Sequence, residues 1–239
     1  MVLTLWLLIC SWLPLQARDD VPRIRVLIAE SKDEVTLEIR APFHAFKPKT
    51  DIELAVRDRL AVTSARVSGG KIVVGDLSFD GPVLLVPEES GALVVGKTAY
   101  HGSLLLTPVK GVRLHAINVL DLERYVEGVL GPEIGKEAPF EAQKAQAVCA
   151  RSYAYYEMTR KYENFDLYAD VRDQMYTGVV APDSWVARAV AGTRGQILRH
   201  KNESFRAYYS STCGGRTESV FEWRKEPEIE PLKGVVCGF

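Results

Sequence analysis

The pattern of apolar and polar positions divides the chain into a β-rich N-terminal part and a helical centre. From Val21 to about Asn118, short apolar runs rich in β-branched residues, such as "RIRVLI" and "VTLEIR", are separated by Gly, Pro and Asp. Short runs of this kind bounded by turn residues predict β-strands.

The pattern changes to a helical one at Leu120. Apolar residues then recur at helical spacing, at Leu122, Tyr125, Val126, Val129 and Leu130. Asp121 stands where an N-cap is expected, because its side chain can accept a hydrogen bond from the first turn. The pair Gly131-Pro132 predicts the end of this helix, since proline cannot donate to the helical ladder.

Two more helices and a hairpin are predicted downstream. The second helix runs from Pro139, a residue suited to a first turn, to about Tyr162. A third covers 184–191, with Asp183 as its cap and Gly192 as its stop. "QILRHKNESFRAYYSS" predicts a hairpin that turns at 201–202. The order predicts an α+β fold: a β-rich N-terminal part, a helical central segment and a C-terminal part that contains a β-hairpin.

The charge balance limits the classes of partner. The 239 residues include 30 basic and 31 acidic side chains, which gives a net charge of −1. A nucleic-acid-binding protein normally carries an excess of positive charge, so we expect no nucleic-acid partner. The same balance gives no reason to expect binding to anionic membranes.

The first seventeen residues, "MVLTLWLLICSWLPLQA", contain no charged side chain. A bilayer-spanning helix needs about 20 apolar residues, so this run is too short to span. With the small Ala17 before "RDD", it predicts a signal peptide that is cleaved after Ala17. A lipid-modified Cys10 is a less favoured alternative, because Ile9 is bulky for such a site. We therefore expect an exported protein, in the periplasm, cell wall or extracellular space, with no membrane span in the mature chain.

Three cysteines follow the predicted signal: Cys149, Cys213 and Cys237. An odd number in an exported protein leaves at least one thiol without a partner in the chain. Cys149 lies in the Ala-rich pattern "AQAVCARSYA" and is interpreted as a small core residue. Cys213 and Cys237 are compatible with a disulfide in an exported protein, although the sequence alone does not establish one.

Familiar catalytic motifs are missing from the sequence. It contains no phosphate-binding glycine loop, no dinucleotide fingerprint, no CxxC and no HExxH. The histidines are scattered, so a Ser-His-Asp or Cys-His site would have to assemble in space. Cys213 in "SSTCGG" has no base near it in the sequence, which disfavours a cysteine nucleophile. These absences direct attention to the carboxylates.

Glu133 is the carboxylate in the least ordinary setting, directly after Gly131-Pro132. By its local pattern alone it is more typical of a helix-end glutamate than of a catalytic one. Glu141 stands in the first turn of the second helix, where a negative charge stabilises the helix dipole, and Glu137 lies just before that turn. Ordinary roles are therefore expected for Glu137 and Glu141.

The longer stretch around Glu133 resembles a known family. "AYHGSLLLTPVKGVRLHAINVLDLERYVEGVLGPEIGKEAPFEAQKAQAVCARSYA" is similar to the central signature of the stage II sporulation protein D (SpoIID/LytB) family. "FDLYADVRDQMYTG", "AVAGTRGQIL" and "AYYSSTCGGRTESVFEW" then follow in the family's order. Several separated blocks in one order are more specific than a single short motif.

The resemblance implies peptidoglycan chemistry, with two alternatives. Members similar to the sporulation protein are lytic transglycosylases, which cleave peptide-free glycan strands and leave 1,6-anhydro ends. Members similar to LytB enhance a partner amidase instead of cleaving glycan, and a glycan-binding protein of the cell wall is a related non-catalytic alternative. Glu133 matches the family's catalytic glutamate. One carboxyl group suffices for a transglycosylase, because it can protonate the leaving oxygen and then assist attack by the sugar's own 6-hydroxyl.

The matched blocks also imply partners and supporting residues. Peptidoglycan glycan strands are the expected ligand, and a cell-wall amidase is the expected protein partner of a LytB-like member. Substrate-binding roles are implied for Lys144, Gln146, Arg151, Tyr176, Tyr209, Ser210 and Ser211. The alternatives are that Arg151 pairs with a buried acid and that the tyrosines belong to the core.

Two features depart from the family's pattern. The block "YENFDLYADVRDQMY" lacks the His and Cys with which some members bind zinc, so we predict no metal and no cofactor. The chain stops at "LKGVVCGF", where relatives tend to continue, which is typical of a C-terminal truncation. The predicted division is a signal peptide over 1–17, a β-rich region over 18–118 and a catalytic core over 119–239.

Overall fold

A computed structural model describes residues 22–160 and 164–238 of the chain. The predicted signal peptide and Cys10 lie outside the described residues. No helix within the described ranges is long and apolar enough to cross a membrane.

Fifteen strands are present in the described residues. They are β1 (Arg23–Ser31), β2 (Val35–Ile39), β3 (Phe43–Phe46), β4 (Glu53–Arg57), β5 (Leu60–Ser68), β6 (Lys71–Val74), β7 (Leu77–Phe79), β8 (Val83–Pro87), β9 (Leu93–Val95), β10 (Thr98–Tyr100), β11 (Ser103–Val109), β12 (Arg113–Asp121), β13 (Leu167–Tyr168), β14 (Arg199–His200) and β15 (Glu203–Ser204).

The strands form two larger sheets and one short hairpin. The seven-stranded sheet has the order β13-β1-β12-β11-β8-β3-β4, and the six-stranded sheet has the order β10-β9-β2-β5-β6-β7. Neighbouring strands are antiparallel except for the parallel pair β1 and β13. The hairpin of β14 and β15 turns at Lys201 and Asn202, both with positive φ, as the sequence predicts.

The described helices follow the strands. They are α1 (Leu122–Ile134), α2 (Phe140–Thr159), α3 (Trp185–Ala191) and α4 (Val220–Arg224), with a 3-10 turn at Glu230–Leu232. The predicted α+β class is therefore confirmed. Asp121 caps α1 as expected, and its side chain accepts a hydrogen bond from the Arg124 N–H at 2.9 Å. The cap of α3 is Ser184 rather than Asp183, because the Ser184 side chain accepts from the Ala187 N–H.

One apolar core joins the sheets to the helices. Along β12, the alternate positions Leu114, Ala116, Asn118 and Leu120 are all almost completely buried, which is the period of a strand with one face against a core. Residues of both large sheets and of α1, α2 and α3 belong to the same cluster of buried side chains. The helices therefore pack against the β-rich half of the chain through this shared core.

The predicted end of the first helix at Gly131-Pro132 is wrong, because α1 continues through this pair to Ile134 and is capped at Gly135. Pro132 has no N–H, so the carbonyl of Gly128 loses its usual helical donor. The backbone N–H and the hydroxyl of Thr177 both donate to this carbonyl instead, at 3.0 and 2.8 Å. A donor from another segment thus compensates for the proline inside the helix.

Candidate functional site around Glu133

Glu133 lies in the last turn of α1 and is half-buried. Its Oε1 atom accepts a hydrogen bond from the backbone N–H of Met175 at 3.2 Å. The hydroxyl of Tyr209 lies near the Glu133 carboxylate, close enough for the negative charge of Glu133 to act on it. The Met175 N–H therefore holds this carboxyl group directly, with the Tyr209 hydroxyl beside it.

A chain of hydrogen bonds leads from the core to Tyr209, which lies near Glu133. The hydroxyl of the fully buried Tyr125 donates to Oε1 of Gln174 at 3.1 Å. The Nε2 atom of Gln174 donates to the Tyr209 hydroxyl oxygen at 2.9 Å. Because that oxygen accepts from Gln174, the Tyr209 proton is available for Glu133. We call Tyr125, Gln174, Tyr209 and Glu133 the relay.

Burial keeps both phenols of the relay protonated. Loss of solvation raises the pKa of Tyr209, and the negative charge of Glu133 raises it further, against the opposing effect of the hydrogen bond from Gln174. Burial likewise raises the pKa of Tyr125 well above its usual value. Both hydroxyls are therefore hydrogen-bond donors throughout the neutral pH range.

The segment that carries Gln174 is docked closely onto α1. Tyr176 packs against Gly128, where a Cβ atom would overlap the tyrosine ring. The Tyr176 hydroxyl donates to Oδ1 of the buried Asn118 at 2.9 Å. Together with the bonds from Thr177, these contacts hold the Met175 N–H against Glu133.

The proposed substrate-binding residues of α2 lie on different faces of that helix. The Lys144 side chain is close to Gly192 at the end of α3, and its ammonium group donates to Glu141 at 3.0 Å. Gln146 lies on another face of the helix, together with Cys149 one turn later. Cys149 is close enough to Tyr209 to affect its pKa, which places this second face on the side of the relay.

Arg151 is buried, with only 1% of its surface exposed. Its guanidinium group donates to both carboxylate oxygens of the buried Glu123, at 2.9 and 2.7 Å. It also donates to the backbone carbonyls of Val190 and Gln196. These contacts correspond to the alternative role expected for Arg151, a pair with a buried acid, and leave little of it for a ligand to reach.

The tyrosines and serines of the predicted substrate-binding set also differ in how far they are buried. Tyr176 is 5% exposed and packs with Tyr100 and Tyr125, so its aromatic faces are in the core. Tyr209 is part of the relay. Ser210 and Ser211 follow it directly and are exposed. The structure therefore brings Tyr209, but not Tyr176, to the Glu133 carboxylate.

Gln146 has an unusual donor. Its Nε2 atom is buried and has no hydrogen-bond partner among the described residues. Burying an amide donor without a hydrogen-bond acceptor costs free energy, so this atom is a candidate for a hydrogen bond to a ligand.

Gln174 is the member of the site that sequence reasoning did not identify. The predicted set took Tyr176 from the same "QMYTG" block. The sequence did contain a signal for Gln174. It is two residues from Tyr176, and side chains two residues apart point to the same side of an extended segment. Gln174 is 1% exposed, whereas Met175 between them is 41% exposed.

Two cavities lie elsewhere on the surface. One of about 900 Å³ is lined by residues of β4, β8, β11 and β12. The other, of about 620 Å³, lies beside the N-terminal half of α1, at Asp121, Arg124 and Glu127. Neither includes Glu133. Within residues 22–160 and 164–238, no three His, Cys, Asp or Glu side chains are grouped so that they could hold a metal ion.

Comparison with known proteins matches the part of the chain that holds Glu133 and Gln174. Residues 110–200 match the family model SpoIID, described as stage II sporulation protein. The chain is 31% identical over 209 residues to an uncharacterized protein of Brachyspira hyodysenteriae, which covers 82% of this chain and 54% of that protein.

Two further relatives carry the family's name. The chain is 28% identical over 122 residues to stage II sporulation protein D of Bacillus amyloliquefaciens, and 28% identical over 121 residues to the Bacillus subtilis protein. Each match covers 44% of this chain, and 36% or 35% of the relative. The chain thus spans about half or less of the length of these relatives. It belongs to the stage II sporulation protein D family.

Proposed function

We propose that the protein is an exported lytic transglycosylase that cleaves peptide-free glycan strands of peptidoglycan, with Glu133 as its general acid and base. The observation that carries the proposal is the setting of Glu133: a half-buried carboxyl group that accepts a hydrogen bond from the Met175 N–H and lies near the Tyr209 hydroxyl. A catalytic group must be held in a defined position to act, and the contact with Met175 supplies this.

The reaction needs one carboxyl group in two protonation states. The protonated Glu133 donates its proton to the glycosidic oxygen as the bond between MurNAc and GlcNAc breaks. The carboxylate then takes the proton of the MurNAc 6-hydroxyl as this oxygen attacks the anomeric carbon, which forms the 1,6-anhydro end. The proton gained in the second step restores the acid, so no cofactor is consumed.

Three of the expected substrate-binding residues fit this arrangement best. The unpartnered Nε2 donor of Gln146 suits an N-acetyl carbonyl or a sugar hydroxyl. Ser210 and Ser211 directly follow Tyr209 and are exposed, so their hydroxyl groups can form hydrogen bonds with the hydroxyl groups of a sugar. Lys144, on the other face of α2, and the buried Arg151 and Tyr176 are assigned to the support of the fold rather than to contact with glycan.

The second candidate is a LytB-like enhancer that binds glycan or an amidase without cleaving glycan. One observation favours it: the 900 Å³ and 620 Å³ cavities lie away from Glu133. Such concave surfaces can bind a ligand or a partner without any part in cleavage at Glu133. In this case the relay would serve to stabilise a binding surface.

A product analysis distinguishes the two. The protein is incubated with peptide-free glycan strands, and the products are examined by mass spectrometry. Strands with 1,6-anhydro ends are expected from a transglycosylase. Ordinary reducing ends would mean hydrolysis and would require a second carboxylate. A folded protein that binds the strands without any product would overturn the enzyme proposal in favour of the enhancer.

A further inference from the structure

Two segments near the C-terminus form a short antiparallel pair. The N–H of Cys237 donates to the carbonyl of Gly215 at 2.9 Å, and the N–H of Thr217 donates to the carbonyl of Val235 at 2.9 Å. Between these bonds, Arg216 and Val236 form an isolated β-bridge. Cys237 is thus held by its backbone in a defined position beside the Gly215 backbone.

A tight turn brings Cys213 to the same place. The N–H of Arg216 donates to the carbonyl of Cys213 at 3.2 Å, and the two residues between them, Gly214 and Gly215, have φ of 61° and 96°. Glycine adopts positive φ without strain, so the sequence "CGGR" suits the turn. The side chain of Cys213 consequently lies close enough to that of Cys237 for the two to interact, and both residues are half-buried.

We propose that Cys213 and Cys237, which are free thiols in the structure, form a disulfide bond when the protein is exported. The thiolate of one cysteine attacks a disulfide of an exchange partner, either a protein disulfide or a small-molecule disulfide such as oxidised glutathione. The other thiol then displaces the partner from the mixed disulfide. The cysteines lose two protons and two electrons, and the exchange partner is reduced to two thiols.

The chemistry of the thiols selects this pair over Cys149. A hydrogen bond from the Gly215 backbone, and then the contact with Cys237, lower the pKa of Cys213. Burial raises the pKa of Cys149. Because the thiolate is the reacting form, Cys213 is the more reactive of the two at neutral pH.

The bond would also support the candidate site. Cys213 follows Tyr209, Ser210 and Ser211 in the same segment, and the link to Cys237 would tie this segment to the bridge at Val236. A cross-link restricts the conformations open to a loop, and it restricts long loops most. The bond itself depends only on an oxidising compartment, and not on glycan cleavage.

Peptide mapping tests the proposal directly. The full chain is equilibrated with oxidised glutathione, its remaining thiols are blocked with an alkylating reagent at acidic pH, and it is digested with trypsin. Cleavage after Arg206, Arg216 and Lys233 releases "AYYSSTCGGR" and "GVVCGF". The expected product is these two peptides joined by one disulfide, about 2 Da lighter than their sum because two hydrogens are lost.

Matched variants give a second readout. In Cys149→Ser the linked peptides should form as in the wild type, whereas in Cys237→Ser they should be absent. Oxidised wild type should also be cleaved within 214–236 by a non-specific protease at least about tenfold more slowly than Cys237→Ser. The proposal is overturned if the oxidised protein yields both peptides unlinked, or if Cys149 takes the place of either cysteine.

Discussion

At the scale of single residues, the position of Glu133 depends on donors that the chain brings from elsewhere. The Met175 N–H comes from the segment docked on α1, and the Tyr209 hydroxyl comes from the segment after the β14–β15 hairpin. Gln174 orients Tyr209 by donating to its oxygen. Tyr209 is therefore a positioning residue for the proposed acid and base.

Tyr209→Phe should lower kcat on glycan strands by about 10- to 100-fold with little change in KM, because the carboxyl group loses a neighbouring hydroxyl that can donate to it while the ring remains. The unfolding free energy should fall by about 1–2 kcal/mol, since Nε2 of Gln174 loses its acceptor at 2.9 Å and keeps only the Ala150 carbonyl at 3.4 Å. Kinetics of anhydro-product release and denaturant unfolding measure the two effects.

Tyr155→Phe is the matched control, because Tyr155 packs against the core from α2 and is not part of the relay. Its unfolding free energy should stay within about 0.5 kcal/mol of the wild type. Equal loss of kcat in both variants would contradict the positioning role of Tyr209.

At the scale of elements, the end of α1 is decided by tertiary contacts. Local signals predict its start correctly, because the Asp121 cap acts within one turn. They predict its end wrongly, because Pro132 removes a donor that Thr177, distant in the sequence, replaces. The sequence shows that Pro132 lacks a backbone donor, but it does not show that Thr177 supplies the replacement.

Two glycines of α1 should respond to alanine in opposite directions. Gly128→Ala should lower the unfolding free energy by about 2–3 kcal/mol, because the new Cβ would overlap the Tyr176 ring and lie 2.7 Å from the carbonyl oxygen of Gly178. At Gly131 the nearest atom is Cγ2 of Val186 at 3.9 Å, so Gly131→Ala should be neutral or raise stability by up to about 1 kcal/mol.

Denaturant unfolding of both variants, with helical content measured by circular dichroism, checks this difference. Equal tolerance of alanine at the two positions would mean that the segment 174–178 is not packed on α1 as described.

At the scale of the whole molecule, one buried ion pair joins the helices. Arg151 in α2 binds Glu123 in α1 and the carbonyl of Val190 in α3. Glu123 also accepts from the Gly195 N–H at 3.1 Å. Removing one member leaves an uncompensated buried charge, which costs more than removing both.

Arg151→Met should therefore lower the unfolding free energy by about 3–5 kcal/mol. The double variant Glu123→Met, Arg151→Met should be more stable than Arg151→Met alone, because it buries no unpaired charge. Denaturant unfolding of both single variants and the double variant gives the coupling between the two residues. Additive losses would show that the two side chains act independently.

The sequence contains the class of the fold and directs attention to Glu133 as a candidate, but it does not contain the geometry of the site. Periodicity and turn residues suffice for the α+β order and for the hairpin at Lys201 and Asn202, since both depend on neighbouring residues. The relay does not depend on neighbours: Tyr125, Gln174 and Tyr209 meet only after the strands and helices have packed. Such long-range contacts leave no local pattern.

The most direct measurement compares Glu133→Gln with Glu137→Gln, which replaces an exposed glutamate just beyond α1. Both variants and the wild type are incubated with peptide-free glycan strands, and 1,6-anhydro ends are counted by mass spectrometry. The account predicts that Glu133→Gln forms these ends at least about 100-fold more slowly, while remaining folded, and that Glu137→Gln matches the wild type. Undiminished formation of anhydro ends by folded Glu133→Gln would contradict the assignment of Glu133 as the catalytic acid and base.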